Sequence, residues 1–332
     1  MTVLVTGGAG YIGANMSLAL LQTGETPVAV DNLLTGAAWL VPDAVELTRL
    51  EVGNIDAVRQ LIESNSIDEV IHFAGSTLVP ESIERPLDYY LNNTAQTIAL
   101  LKACALAGVK RFIFSSTAAV YGTPDTIPVN EKAAVHSISP YGASMAMSER
   151  IVQDAAVRND MSFAILRYFN VAGADPKSLA GQIGKPTHLI RVASQIAAGV
   201  RDEALKVFGT DYATPDGTAV RDYVHVTDLA DAHLQALQYL RAGGQSKILN
   251  CGYGRGYSVR EVINSIERVS DTKLELELCG RRSGDPAQLI ADSATIRSTL
   301  DWRPRFDDID LIARTAIDWE LKLAEREEKA DE

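Results

Sequence analysis

Cysteine is scarce: Cys104, Cys251 and Cys279 are the only three in 332 residues. They lie far apart, with no Cys-x-x-Cys pair and no zinc spacing, so neither a disulfide framework nor a metal site is expected, and Cys104 reads as a reduced core thiol. Positive charge is also in deficit, with 31 Lys and Arg against 43 Asp and Glu and a formal net charge of −12. That balance excludes a nucleic-acid surface, which needs a basic patch. No long apolar run occurs and no basic and apolar leader follows Met1, so no membrane partner is expected and the expected compartment is the cytoplasm. Repeats and low-complexity segments are absent too. What remains is 46% hydrophobic and 22% charged, ordinary for a soluble globular chain long enough for one large or two moderate domains.

The chain does contain a regular alternation. "TVLVT" (2–6) is a β-branched run, broken by glycines over 7–13 and followed by a helical pattern from Ala14 to Gln22 that closes at Gly24. "PVAVDN" (27–32), "EVIHFA" (69–74), "RFIFSST" (111–117) and "SFAILRY" (162–168) read as strands, with helical patterns at 56–64, 93–107 and 142–158. Alternation of this kind means βαβ crossovers. The expected class is α/β: a Rossmann-type doubly wound parallel sheet with a smaller mixed α/β substrate-binding lid. Residues 1–170 are assigned to the first, with part of 221–250 returning to it. Residues 171–220, with a helix at 189–200, and 251–325 form the lid; a further helix is expected at 227–242, and the charged end 326–332 is expected to fray.

In "VTGGAGYIG", Gly7, Gly10 and Gly13 fall three apart between a strand and a helix. Small residues there let the backbone approach a pyrophosphate at the helix N-terminus. The next strand ends in Asp31, placed to take a ribose 2′-hydroxyl and to repel a 2′-phosphate, so NAD is favoured over NADP.

The GxxGxxG spacing resembles the extended short-chain dehydrogenase/reductase family. The segments "DNL", "IDEVIHFAG", "ESIERPLDYYLNN", "FIFSSTAAVYG", "SPYGAS", "RYFNVAGADP", "DGTAVRDYVHVTDLADAH" and "RRSGDPAQLIADS" resemble its UDP-hexose 4-epimerases over nearly the whole length. This resemblance implies a homodimer that binds NAD and a UDP-sugar and epimerises UDP-glucose and UDP-galactose by transient oxidation at C4. It puts the cofactor against Tyr11 and Ile12 of the glycine loop, Asp31 and Asn32, Phe73, Ala74 and Gly75, Asn92 and Phe169. Glu51-Val52 stands where the family commonly has Asp-Ile beside the adenine, and Thr77 where relatives carry a lysine. For the substrate it implies Arg221 and Arg282 on the diphosphate, Asn170, His188, Leu189, Val207, Phe208 and Asp285 on uridine and sugar, and Leu289 at a position linked to room for an N-acetyl group. Guanidinium groups suit that clamp because they bind phosphate oxygens bidentately. Arg191 and Arg281 read as surface charges.

By the same resemblance, Thr117 and Tyr141 are the hydroxyl residue and the acid/base, with Ser115 and Ser116 as nearby alternatives. Removing hydride from a secondary alcohol requires a base on its hydroxyl proton, and a phenolate about 3 Å away with a second hydroxyl to orient the substrate meets that need. Met145, one turn beyond Tyr141, occupies the family's lysine position. It matches lysine in length and lacks its charge, so the pocket can fill while the base is de-tuned. With the other motifs intact, the methionine reads as an arresting substitution ahead of a naturally decayed pseudoenzyme that only binds NAD and UDP-sugar. A 4,6-dehydratase is disfavoured because Ala118-Ala119, in place of Asp-Glu, follows Thr117. Epimerases of UDP-xylose/arabinose or UDP-glucuronate remain alternatives.

Overall fold

The computed structural model describes residues 1–282 and 285–331. Seven strands form one sheet in the order 247–251, 162–168, 111–117, 69–72, 2–6, 26–31 and 46–49, and every neighbouring pair is parallel. A sheet covered on both faces has apolar strands, with successive side chains entering opposite layers. Val3 and Val5 accordingly join a cluster with Met16, Leu20, Ile71 and Ile113 under the helices Tyr11–Gln22 and Val226–Arg241. Leu4 points the other way and packs with Val28, Val70, Phe112 and Ile165 under Ile55–Ser64, Gln96–Ala107 and Pro140–Arg158. Strand order reverses between 2–6 and 69–72, and a doubly wound sheet opens its ligand crevice at that point, beyond the strands' carboxyl ends.

After the helix Val226–Arg241, the strand Lys247–Cys251 aligns Leu249 with Leu166 at the sheet edge. The segments on either side build three small sheets: 205–208 with 276–279, 170–172 with 223–225, and 220–221 between 257–258 and 288–289. The helices Leu189–Ala197, Val259–Ser270 and Ile309–Asp331 pack beside them.

Several boundaries depart from the sequence expectation: the first helix starts at Tyr11, ahead of Ala14, and the helix expected over 189–200 ends at Ala197. The strand expected over 69–74 stops at His72, which frees Phe73–Gly75 for the crevice. The helix expected from 93 starts instead with a wide π turn, Tyr90–Ala95, a form common at functional sites. The charged end from 326 continues the final helix to Asp331, with the Arg326 guanidinium 4.1 Å above the Trp39 ring; Glu332 lies outside the described residues. No helix among the described residues is long and apolar enough to cross a membrane.

At the amino ends of the strands, far from the crevice, the fully buried Glu69 is held by Arg241, whose Nε lies 2.8 Å from Oε1, and by Arg111 at 3.1 Å. Removing one partner of a buried pair strands the other. Arg241→Leu is expected to cost about 3 kcal/mol of unfolding free energy, read as a lower melting temperature, with NAD affinity unchanged because the pair is at the strands' amino ends, opposite the crevice. Loss of cofactor binding at unchanged melting temperature would contradict this.

Candidate active site

The glycine loop turns on contacts that only bare backbone permits. Gly7 has φ +68°, and a Cβ on Gly13 would fall 2.1 Å from the Gly7 carbonyl oxygen. Gly10 caps the following helix without a side-chain bond, so the first N–H groups face the crevice, an arrangement made for a pyrophosphate. Tyr11 offers that surface its backbone, because its buried hydroxyl is committed to the Gly173 carbonyl at 2.6 Å. Ile12 packs down against the core.

On the adenosine side, Asp31 is buried and its carboxylate accepts the Ala9 and Leu33 N–H groups at 3.0 and 2.8 Å. Those bonds aim it at the crevice with lone pairs to spare. Asn32 donates to Glu51 Oε1 at 3.1 Å, which ties the two expected adenosine contacts together over the buried Val52.

Phe73, Ala74, Gly75 and Thr77 line one cavity with His72, Ser115, Tyr141, Met145 and Tyr168. Asn92 donates to Ser76 Oγ at 2.8 Å, and its neighbour Asn93 holds Ser76 N–H at 2.7 Å and Ser144 Oγ at 3.1 Å. Two consecutive residues serve the same loop because the π turn brings both inward. His72 bridges Thr6 and Thr97. Burial depresses its pKa to about 3, so it stays neutral and contributes hydrogen bonds without charge.

Tyr141 sits at the start of the helix Pro140–Arg158, where Ser139 caps through the Gly142 N–H at 3.2 Å and Pro140 presets the first turn. Its phenol meets the Thr117 hydroxyl, and its ring is edge-on to Tyr89 at 6.3 Å. Burial, then the neighbouring Tyr168 phenol, push the Tyr141 pKa well above the ordinary tyrosine value, and only the Thr117 hydrogen bond works against them at the phenol itself. Met145 is buried in the same cluster as Tyr141 and Phe169, with Leu289 packed against it. No cation acts on the phenol among these neighbours.

Of the alternatives to Thr117, Ser116 is spent on Glu149 and Ser115 on His233 Nε2 at 3.1 Å. His233 shares a backbone bond with Leu229 and is held near pKa 4 by burial.

In the second part of the chain, Asn170, His188 and Leu189 line a cavity with Tyr223 and Trp319. Arg221 is buried and bonded to Asp285 and to the Val220 carbonyl at 2.7 Å, so two expected substrate contacts hold each other. Leu289 pairs beside Arg221 in the small sheet, which connects this region to the Tyr141 cluster. Val207 is buried, and Phe208 carries the Arg282 guanidinium 3.8 Å above its ring. Arg282 itself is exposed.

One expectation is corrected. Arg191 is no surface charge: it is buried and donates to Glu320 at 2.8 Å and to the Gly184 carbonyl at 2.8 Å. Arg281 is exposed and pairs with Asp211. Sequence reasoning also missed Asn93, Tyr89, Tyr168 and the Glu149–Arg167 pair; of these only Glu149 left a signal, at the four-residue spacing that begins with Tyr141 and Met145. Among the described residues, no group of three His, Cys, Asp or Glu could hold a metal.

A glycine-cradled crevice at a strand-order reversal, with a threonine–tyrosine pair at its floor, defines a dinucleotide-dependent enzyme of the short-chain dehydrogenase/reductase type. The chain belongs to the NAD dependent epimerase/dehydratase family, whose model matches residues 3–252. It is 50% identical over 322 residues to a UDP-glucose 4-epimerase of Azospirillum brasilense, covering 97% of this chain and 92% of that protein. A Stenotrophomonas maltophila UDP-glucose-4-epimerase solved with bound NAD and formylated UDP-arabinopyranose superposes with TM-score 0.94 at 38% identity, covering 98% of this chain and 99% of the other. The Bifidobacterium longum enzyme in complex with NAD+ and UDP gives TM-score 0.91 at 36% identity, with 97% and 98% covered.

Gly13→Ala is expected to abolish NAD binding, because its methyl group would collide with backbone and not with a movable side chain. Calorimetric titration with NAD checks this, and undiminished affinity would contradict the cradle.

Proposed function

We propose that the chain is a cytoplasmic NAD-dependent UDP-hexose 4-epimerase acting on UDP-glucose and UDP-galactose, with methionine at the position of the family's catalytic lysine. The observation that carries this is the Tyr141 phenol, set against Thr117 in the cavity bounded by Phe73–Gly75, in a chain so similar to enzymes of that name. NAD fits the cradle by the space that Gly7 and Gly13 leave, by the uncapped helix N-terminus and by Asp31. It would be held by those residues with Gly10, Tyr11, Ile12, Asn32, Glu51, Val52, Asn92 and Phe169. When bound, it supplies a hydride acceptor for the sugar C4 and a donor for its return to the opposite face.

The chain's own residues do the rest. Tyr141 removes the 4-hydroxyl proton and later returns it, while Thr117 orients that oxygen. Arg221 and Arg282 clamp the diphosphate, and Asp285 releases Arg221 as they do so. Asn170, His188, Leu189, Val207 and Phe208 hold the nucleotide end. Against the sugar stand Leu289 and aromatic side chains, which grip it weakly. A firm hold on UDP with a loose hold on the sugar lets the 4-keto sugar turn over in place.

Position 145 sets the rate. An ammonium roughly 5 Å from the phenol at an effective dielectric near 20 favours the phenolate by about 3 kcal/mol, or about two pKa units. Met145 supplies none of this, while burial raises the Tyr141 pKa. The base is therefore scarce at neutral pH and grows about tenfold per pH unit below its raised pKa. Met145→Lys is expected to accelerate UDP-galactose formation at least about a hundredfold and to move the acid limb of the rate profile downward, assayed on a panel of UDP-hexoses and UDP-pentoses. Equal rates would remove the role given to position 145. A cofactor-loaded revertant inert on the whole panel would favour a binding protein without turnover.

The homodimer belongs to this proposal. Ile83, Leu87, Leu91, Ile98 and Met147 expose between 48 and 73% of their surface on helices packed side by side, an apolar face suited to a second copy. Leu87→Arg with Ile98→Glu should convert a dimer to a monomer in light scattering; an unchanged mass would place the interface elsewhere.

A further inference from the structure

Tyr141, Met145 and Glu149 are all buried on the helix Pro140–Arg158, and their four-residue spacing sets them in one stripe. The third member is a carboxylate, one turn beyond position 145, at the spacing where side chains on a helix meet. Its surroundings have already occupied it. Arg167, from the strand Ser162–Tyr168, donates Nε to Oε1 at 2.9 Å and Nη2 to Oε2 at 2.6 Å. Ser116, from the neighbouring strand, gives Oε1 a second bond. Arg167 Nη1 continues to the Tyr121 hydroxyl at 3.0 Å, which donates to Asn250 at 2.7 Å, and the Asn250 N–H donates to Glu131 at 2.9 Å. Glu149 and Arg167 are each only 3% exposed, so neither exchanges its partner for water.

We infer that Arg167 is a positioning residue for the chemistry at Tyr141. By filling both oxygens of Glu149 it pins the tyrosine helix to the two strands that lead to Thr117 and Phe169. It also keeps that carboxylate from capturing a cation at position 145, so that the cation turns toward the phenol. This rests on the reading of position 145 given above. The groups facing Tyr141 are Thr117 from one strand, Tyr168 from the next and Tyr89 from the adjoining helix, with neutral His72 in the same cavity. None competes for a cation as a buried carboxylate would. The pair also explains why Arg167 does not stand in for the missing ammonium: its charge is matched where it sits.

Two measurements on the NAD-bound protein test this. The first is a melting cycle over positions 145 and 167. Arg167→Gln should lower the melting temperature of the present chain by several degrees, and by clearly less when combined with Met145→Lys, whose ammonium then turns to Glu149. The second is the pH–rate profile. Adding Arg167→Gln to Met145→Lys should remove most of the gained rate and move the acid limb upward, and adding Glu149→Gln to that pair should bring the limb back down. If Arg167→Gln does not fold, Arg167→Lys, which keeps the charge and loses the two-pronged contact, should show the same signs at smaller size. Additive melting losses, or a uniform rate loss with an unmoved acid limb, would leave the pair a structural brace and overturn the inference. Should Met145→Lys bring no turnover at all, the functional reading falls on that result, and the melting cycle alone decides whether positions 145 and 167 are coupled.

Discussion

The approach of Gly13 to the Gly7 carbonyl is the constraint on which the rest of the crevice depends. It folds the chain back between the first strand and first helix, directs uncapped N–H groups outward and brings the loop beneath Phe73 and Ala74. With a side chain at either glycine, the helix moves away from the sheet and the crevice loses one wall. The switch point decides where the opening is, and the glycines decide how close a ligand comes to the backbone.

On the opposite wall, the tyrosine helix is held by polar contacts buried almost as deeply as the core. Asn93 ties it to the loop after His72, Ser139 caps its first turn, and Glu149 anchors its middle. Asn93 and Glu149 join the helix to segments that carry Gly75, Thr117 and Phe169, so the walls of the crevice are tied together through it. For the role proposed for Tyr141, with no cation beside its phenol, fixed geometry would be the main advantage left.

Much of this was legible in the chain. Five of the seven strands announced themselves by apolar runs while Glu46–Arg49 and Lys247–Cys251 did not, the glycine spacing gave the cradle, and "SPYGAS" gave a cap, a proline and a tyrosine in the right order. What stayed hidden depended on partners distant in sequence. Arg191 looked like surface charge because Glu320, its partner, lies on the final helix. The reach of Asn93 depended on the π turn Tyr90–Ala95, a departure from the ordinary helix that no residue type there announces. The end of the strand at His72 was masked by Phe73 and Ala74, apolar residues that serve the crevice and not the sheet.

The bond between Arg221 and Asp285 bears on how a nucleotide would enter. A clamp made of two bare guanidiniums would draw any small anion and hold it by charge alone. Here one of the two already has an internal counter-ion, so a diphosphate must displace a carboxylate to reach it. Entry becomes an exchange of one anion for another, which lowers the reward for simple phosphate and leaves the preference to the groups on either side of it. With a diphosphate seated as proposed, the protein would trade strength of attraction for selectivity at the most highly charged point of its ligand.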